Sequence, residues 1–81
     1  MPKLKILAGE DLIKIFISLG FAVAGQRGSH VKLKRHIVKD SPQTLTIPLH
    51  NELDKGTLKA VYRQALRYIP QDELRTYFYS D

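Results

Sequence analysis

At 81 residues, 43% of them apolar and 26% charged, the chain supports one domain with a modest core, because a chain of roughly 80 residues buries little more than ~60% of its unfolded surface. That size argues against a deep pocket around a large cofactor and for an open face acting on a polymer, and the net charge of +5 suits an anionic partner. The absence of cysteine excludes disulfides, thiolate nucleophiles and sulfur metal sites, and no stretch approaches the ~20 apolar residues of a membrane span, so a cytoplasmic protein with no membrane partner is expected.

Leu12, Ile15, Phe16 and Leu19 recur at helical spacing, with Ile13 and Ile17 widening the stripe. Glu10 and Asp11 sit where a helix dipole favours acids. Gly9 suits the N-cap and Gly20 the left-handed residue that ends the helix, which predicts a helix over about residues 9–19. Phe21-Ala22-Val23-Ala24 reads as a short strand and Gln26-Arg27-Gly28 as the turn into a second. From Ser29 to Arg35 the period is two, placing Val31 and Leu33 on one face and His30, Lys32 and Lys34 on the other. Lys39-Asp40-Ser41-Pro42 reads as a loop and Thr44 to Pro48 as a third strand, with Leu45 and Ile47 packed and Pro48 at an end or edge. If extended geometry persists, Thr46, Pro48 and His50 share the other face, and the two histidines lie on one surface.

Asp54 or Thr57 then caps a long helix carrying Leu58, Val61, Ala65 and Ile69 on one face, with Tyr62 and Leu66 beside them. Pro70 closes that helix, and Asp72-Glu73 opens a last short one holding Leu74, Tyr77 and Phe78. The order predicts an α+β fold, a two-layer sandwich α-β-β-β-α(-α), in which the helices cover one face of a three-stranded antiparallel sheet and leave the other exposed.

Residues 1 to 40 carry eight Lys or Arg against three acids, whereas residues 41 to 81 carry five against five. The cationic excess therefore lies in the half that holds Gly28-Ser29-His30. Such a patch attracts nucleic acid through phosphate neutralisation or, equally, an acidic protein surface. His30 is the main candidate for chemistry, because an imidazole titrates near ~6.5 when unperturbed and can move protons at neutral pH. The plainer alternative is a solvated strand residue, and composition alone leaves both open. His30, His36 and His50 lack local ligand spacing, and Asp40, Glu52 and Asp54 form no paired set, so no metal and no other cofactor is expected.

The segments Gly20-Phe21, Gln26-Arg27-Gly28-Ser29-His30 and Pro48-Leu49-His50, followed by Lys55-Gly56-Thr57-Leu58 and Gln64-Ala65, together resemble the HicA toxin family, also described as YcfA-like. The resemblance covers about residues 3–69 of a single domain spanning 1–81, and residues 70–79 are similar to a short terminal helix of some members. It implies a fold like the double-stranded RNA-binding domain and an mRNA interferase, the endoribonuclease toxin of a toxin-antitoxin system. Its substrate would be single-stranded mRNA and its partner a HicB-like antitoxin. The family's catalytic histidine, in its Gly-Ser-His motif, falls on His30, and the Pro-x-His histidine falls on His50. Gly25 departs from the pattern, since many members place a basic or larger residue before the Gln.

RNA carries its own nucleophile in the 2′-hydroxyl, so a ribonuclease of this kind needs only proton transfer and charge stabilisation. His30 is assigned the proton transfer. Arg27, Lys32 and Lys34 are assigned to the phosphate, Gly28 to the turn, and Ser29 either to a phosphate hydrogen bond or to the backbone. The second proton transfer falls to His50, to a lysine such as Lys32, or to water, while His50 has the plainer alternative of orienting the loop after Pro48. Two competing functions stand beside this one: an RNA-binding module without catalysis, and a protein-interaction domain for an acidic partner.

Overall fold

The first helix is built as its apolar spacing requires. In a computed structural model describing residues 2–37 and 41–80, α1 spans Gly9–Ser18, with Leu12 and Phe16 fully buried. Ile17 is 49% exposed, so the buried stripe is narrower than the sequence pattern. The N-cap is Ala8 rather than Gly9. Ala8 has no side-chain acceptor, and the Asp11 carboxylate compensates by accepting the Ala8 N–H at 2.8 Å. Gly9 is glycine for another reason: a Cβ there would collide with the Pro48 carbonyl oxygen, and its N–H donates to the His50 carbonyl at 2.9 Å. The helix ends ahead of Gly20, whose φ is 100°.

Three strands follow and pair antiparallel in chain order. Strands β2 (Ala22–Arg27), β3 (His30–Arg35) and β4 (Gln43–Pro48) form one sheet with β3 in the middle. A second pair, β1 (Lys3–Leu4) with β5 (Tyr79–Ser80), ties the two ends of the chain together. Two-residue strands carry too few side chains for a periodic signal, and the sequence does not reveal this pair. Strand β2 runs through Gln26 and Arg27, which the sequence pattern assigns to a turn; the turn is only Gly28-Ser29, with Gly28 at φ 59°. That positive φ is what a two-residue hairpin turn asks of glycine. Of the expected loop Lys39-Asp40-Ser41-Pro42, Lys39 and Asp40 lie outside the described residues, and Ser41 and Pro42 precede β4 without regular structure.

Helix α2 spans Lys55–Ala65, capped by Asp54, whose carboxylate accepts from the Thr57 N–H at 3.1 Å and from its hydroxyl at 2.6 Å. It stops sooner than the Leu58-to-Ile69 spacing implies. The N–H groups of Arg67 and Tyr68 turn back to the carbonyls of Gln64 and Ala65, three residues earlier, and this tightening ends the helix. Helix α3 (Gln71–Phe78) follows Pro70 and buries Leu74 and Phe78 completely.

The helices pack on one face of the sheet. Leu12 and Phe16 share one apolar cluster with Val31, Leu33, Leu45 and Ile47 of the sheet and with Leu58, Val61, Leu74 and Phe78 of the other helices. The result is the two-layer α+β sandwich that the order of elements predicts, of the double-stranded RNA-binding-domain type that the family resemblance implies, with one further helix. Alternation in β3 leaves its other row, His30, Lys32 and Lys34, on the uncovered face.

Candidate active site

The Gly28-Ser29 turn places Arg27 directly across from His30 as cross-strand partners. Along β3, His30 and Lys32 stand about 7 Å apart, as do Lys32 and Lys34, from the rise of two residues in a strand. Small neighbours keep the row open. Lys32 is flanked by Gly25 on β2 and Thr46 on β4, and Lys34 by Ala22 and Thr44. A bulge between Val23 and Gly25 adds Ala24 to β2, so that Ala24 and Gly25 both line the same groove.

That groove is open and holds about 440 Å³. Its walls are Ala24, Gly25, Gln26 and Arg27 from β2, His30, Lys32 and Lys34 from β3, and Thr46 from β4. Among the described residues no carboxylate lines it. A trough lined by an imidazole, two lysines and an arginine, with no acid among the described lining residues, suits an anion, and its open form admits a strand rather than an enclosed small molecule.

Four of the residues expected at the site are therefore together: Arg27, His30, Lys32 and Lys34. Gly28 and Ser29 form the turn beside the groove and do not line it. The Ser29 carbonyl accepts from the Leu49 N–H at 2.6 Å, anchoring the turn to the end of β4. The Gly28 carbonyl accepts from the Gln26 side chain at 3.0 Å, which stiffens the same turn.

His50 lies elsewhere. Its N–H turns back to the Pro48 carbonyl at 3.1 Å, so the chain bends at Leu49 and extended geometry does not persist. The residue lines a separate depression with Ala8, Glu10, Leu49 and Asn51, at the start of α1. The extended geometry on which a shared surface for the two histidines depended ends at Leu49, and His50 is not among the residues that line the groove. Ala24, Gln26 and Thr46 line the groove without having been given a role there from the sequence. Thr46 could have been found from its period-two place beside Leu45 and Ile47, whereas Gln26 joins only because β2 is longer than its composition suggests.

Among the described residues no group of three His, Asp or Glu is placed to hold a metal ion, and no helix is long and apolar enough to cross a membrane. A sequence profile of the family described as HicA toxin of bacterial toxin-antitoxin matches residues 9–66, which is α1 through α2 with the whole groove between them. The chain belongs to the HicA toxin family. A toxin role in a toxin-antitoxin pair follows from that membership. Within this HicA chain β1, α3 and β5 lie outside the matched span. Neither a search of curated proteins nor one of solved structures returned a match.

Proposed function

We propose that this HicA-family toxin is a metal-independent endoribonuclease that cuts single-stranded mRNA with His30 as its proton-transfer group, held in check by a HicB-like antitoxin. The observation that carries the reading is the composition of the groove: His30 beside Arg27, Lys32 and Lys34, with no carboxylate among the described residues that line it. In this reaction His30 removes the proton of an RNA 2′-hydroxyl, whose oxygen attacks the adjacent phosphorus. Negative charge grows on the non-bridging oxygens, and Lys32, Lys34 and Arg27 offset it. The bond from phosphorus to the 5′-oxygen breaks, leaving a 2′,3′-cyclic phosphate on one fragment and a 5′-hydroxyl on the other.

One imidazole cannot take and give a proton in the same instant. With His50 outside the groove, Lys32 or a water supplies the proton to the leaving oxygen. Gly28 and Ser29 serve by holding the turn that sets Arg27 opposite His30, and not by touching the phosphate. An antitoxin inhibits most simply by laying an acidic surface into the same trough, since the described residues of its walls include cations and no acid.

The test is cleavage of an unstructured RNA by the purified chain in EDTA, next to His30→Ala. The expected result is cutting by the native chain and a loss of roughly 10²–10⁴ in rate for the variant, the size typical of a positioned acid-base group, with RNA binding retained. Equal cutting by both chains, or cutting only when metal is added back, would overturn the assignment. Binding without cutting by either would leave an RNA-binding module.

A further inference from the structure

The second half of the chain is electrically neutral as a sum, yet its cations are not dispersed. Lys55, Lys59, Arg63 and Arg67 recur every fourth residue along α2 and the turn after it, all four are exposed, and no Asp or Glu occurs between Lys55 and Arg67. Residues four apart lie on one helix face about 6 Å from each other along the axis. Like charges at that spacing repel, so the row raises the energy of the free helix and is relieved by a polyanion laid along it. A row placed only to stabilise the helix dipole would need cations in the last turn alone, and Lys55 and Lys59 stand outside it.

The row also connects to the groove. Arg63, Gln64 and Arg67, with Ala60, line an open depression of about 550 Å³ on the outer side of α2. The Gln64 side-chain carbonyl accepts the N–H of Thr46 at 2.9 Å. Thr46 is a wall of the His30 groove and lies on β4, an edge strand whose outward N–H would otherwise be unpaired. One hydrogen bond thus joins the rim of the groove to the cationic face of the helix.

We infer that an RNA strand held at His30 leaves the groove over the seam between Thr46 and Gln64 and is bound on its flank by Lys59, Arg63 and Arg67. This rests on the ribonuclease reading for the position of the cut, but the flank itself binds phosphates whether or not the bond is broken. The site takes RNA backbone without regard to base, because its groups are point charges and guanidinium forks directed at phosphate.

The experiment measures equilibrium binding of an oligouridine about 12 nucleotides long, within the span that small single-strand-binding folds cover, to the His30→Ala chain over a series of salt concentrations. Two charge-matched sets are compared in that background: Lys59→Gln with Arg63→Gln and Arg67→Gln, and Lys3→Gln with Lys14→Gln and Arg75→Gln. The α2 set is expected to weaken binding at least tenfold and to lower the slope of log K against log salt by about 2, at roughly 0.7 for each phosphate no longer neutralised. The other set removes the same charge and should change the slope by less than a third as much. Thermal midpoints equal to that of the parent show that each set is folded. Equal effects from the two sets, or none from the α2 set, would overturn the inference, as would an α2 set that spares RNA and weakens only an acidic protein partner. If the native chain binds with the expected slopes but does not cut, the ribonuclease reading fails and the flank stands.

Discussion

Gly25 is the position where this chain departs most clearly from the cationic pattern of its groove. It sits opposite Lys32, and a Cβ there would meet nothing within 4 Å. The first side-chain carbon of Gly25→Lys would therefore enter open space beside the trough. Replacing a strand glycine is worth up to ~1 kcal/mol, whereas a like charge directly across the strands costs about 0.2–1 kcal/mol, so thermal stability should hardly change. RNA affinity should rise severalfold, with the salt slope steeper by about 0.7 for one more phosphate neutralised. Binding by the His30→Ala form with and without the substitution measures this, and an unaltered slope would mean that RNA does not pass Gly25. Arg35 illustrates the opposite case of a cation already committed to the fold. It donates to Gln43 at 2.7 Å, to the Leu19 carbonyl at 2.9 Å and to the Tyr68 carbonyl at 3.2 Å, and its guanidinium lies 4.8 Å from the centre of the Phe21 ring. It adds to the net charge of the basic half, but three of its five guanidinium N–H donors are already committed within the fold.

At the scale of elements, the start of α2 depends on a titratable cap. The Thr57 hydroxyl and N–H hold the Asp54 carboxyl below its ordinary 3.8. A folded-state pKa lower than the unfolded one gives stability that is fully present above the unfolded value and is lost as pH falls through the folded value. The native chain should therefore lose thermal stability on acidification below about pH 4 more steeply than Asp54→Asn, which caps without titrating. Asp54→Ala should be less stable than either at neutral pH. Parallel acid profiles for the native chain and the Asn variant would dismiss the cap as a pH-dependent contribution. The same element shows what a sequence can and cannot disclose. The cap, the Leu58-Val61-Ala65 face and the period-two row of β3 are local patterns, and each is legible, as is the row of His30, Lys32 and Lys34. The early end of α2, the bend at Leu49 that removes His50 from the groove, and the bond from Gln64 to Thr46 depend on contacts between distant segments. The sequence pattern makes β2 too short because Gly25, Gln26 and Arg27 have little strand propensity, and pairing with β3 overrides that preference.

At the scale of the molecule, the family core of residues 9–66 is completed by parts outside it. Phe78 from α3 is fully buried and packs against Phe16 and Tyr62, with ring centroids 6.3 Å and 5.0 Å away. The Tyr62 ring in turn meets Tyr79 of β5 at 5.5 Å, so the last helix and the terminal strand pair close one side of the core. A chain of this length has a total stability of about 4 to 12 kcal/mol at 0.05–0.15 kcal/mol per residue, and truncating a buried Phe to Ala costs roughly 3–5 kcal/mol. Phe78→Ala should thus remove about a quarter or more of the stability and lower the thermal midpoint by more than ~10 °C. The groove, however, is on the opposite face of the sheet from that cluster, and β3 separates them: Val31 and Leu33 face Phe78's layer, while His30, Lys32 and Lys34 face the trough. RNA cleavage per folded molecule, measured at a temperature where circular dichroism shows the variant still folded, should therefore equal that of the native chain, and activity should disappear only along the shifted unfolding curve. A fall in the rate per folded molecule would show instead that packing of α3 is transmitted through β3 to the geometry of His30, and the two faces of the sheet would then have to be treated as one mechanical unit.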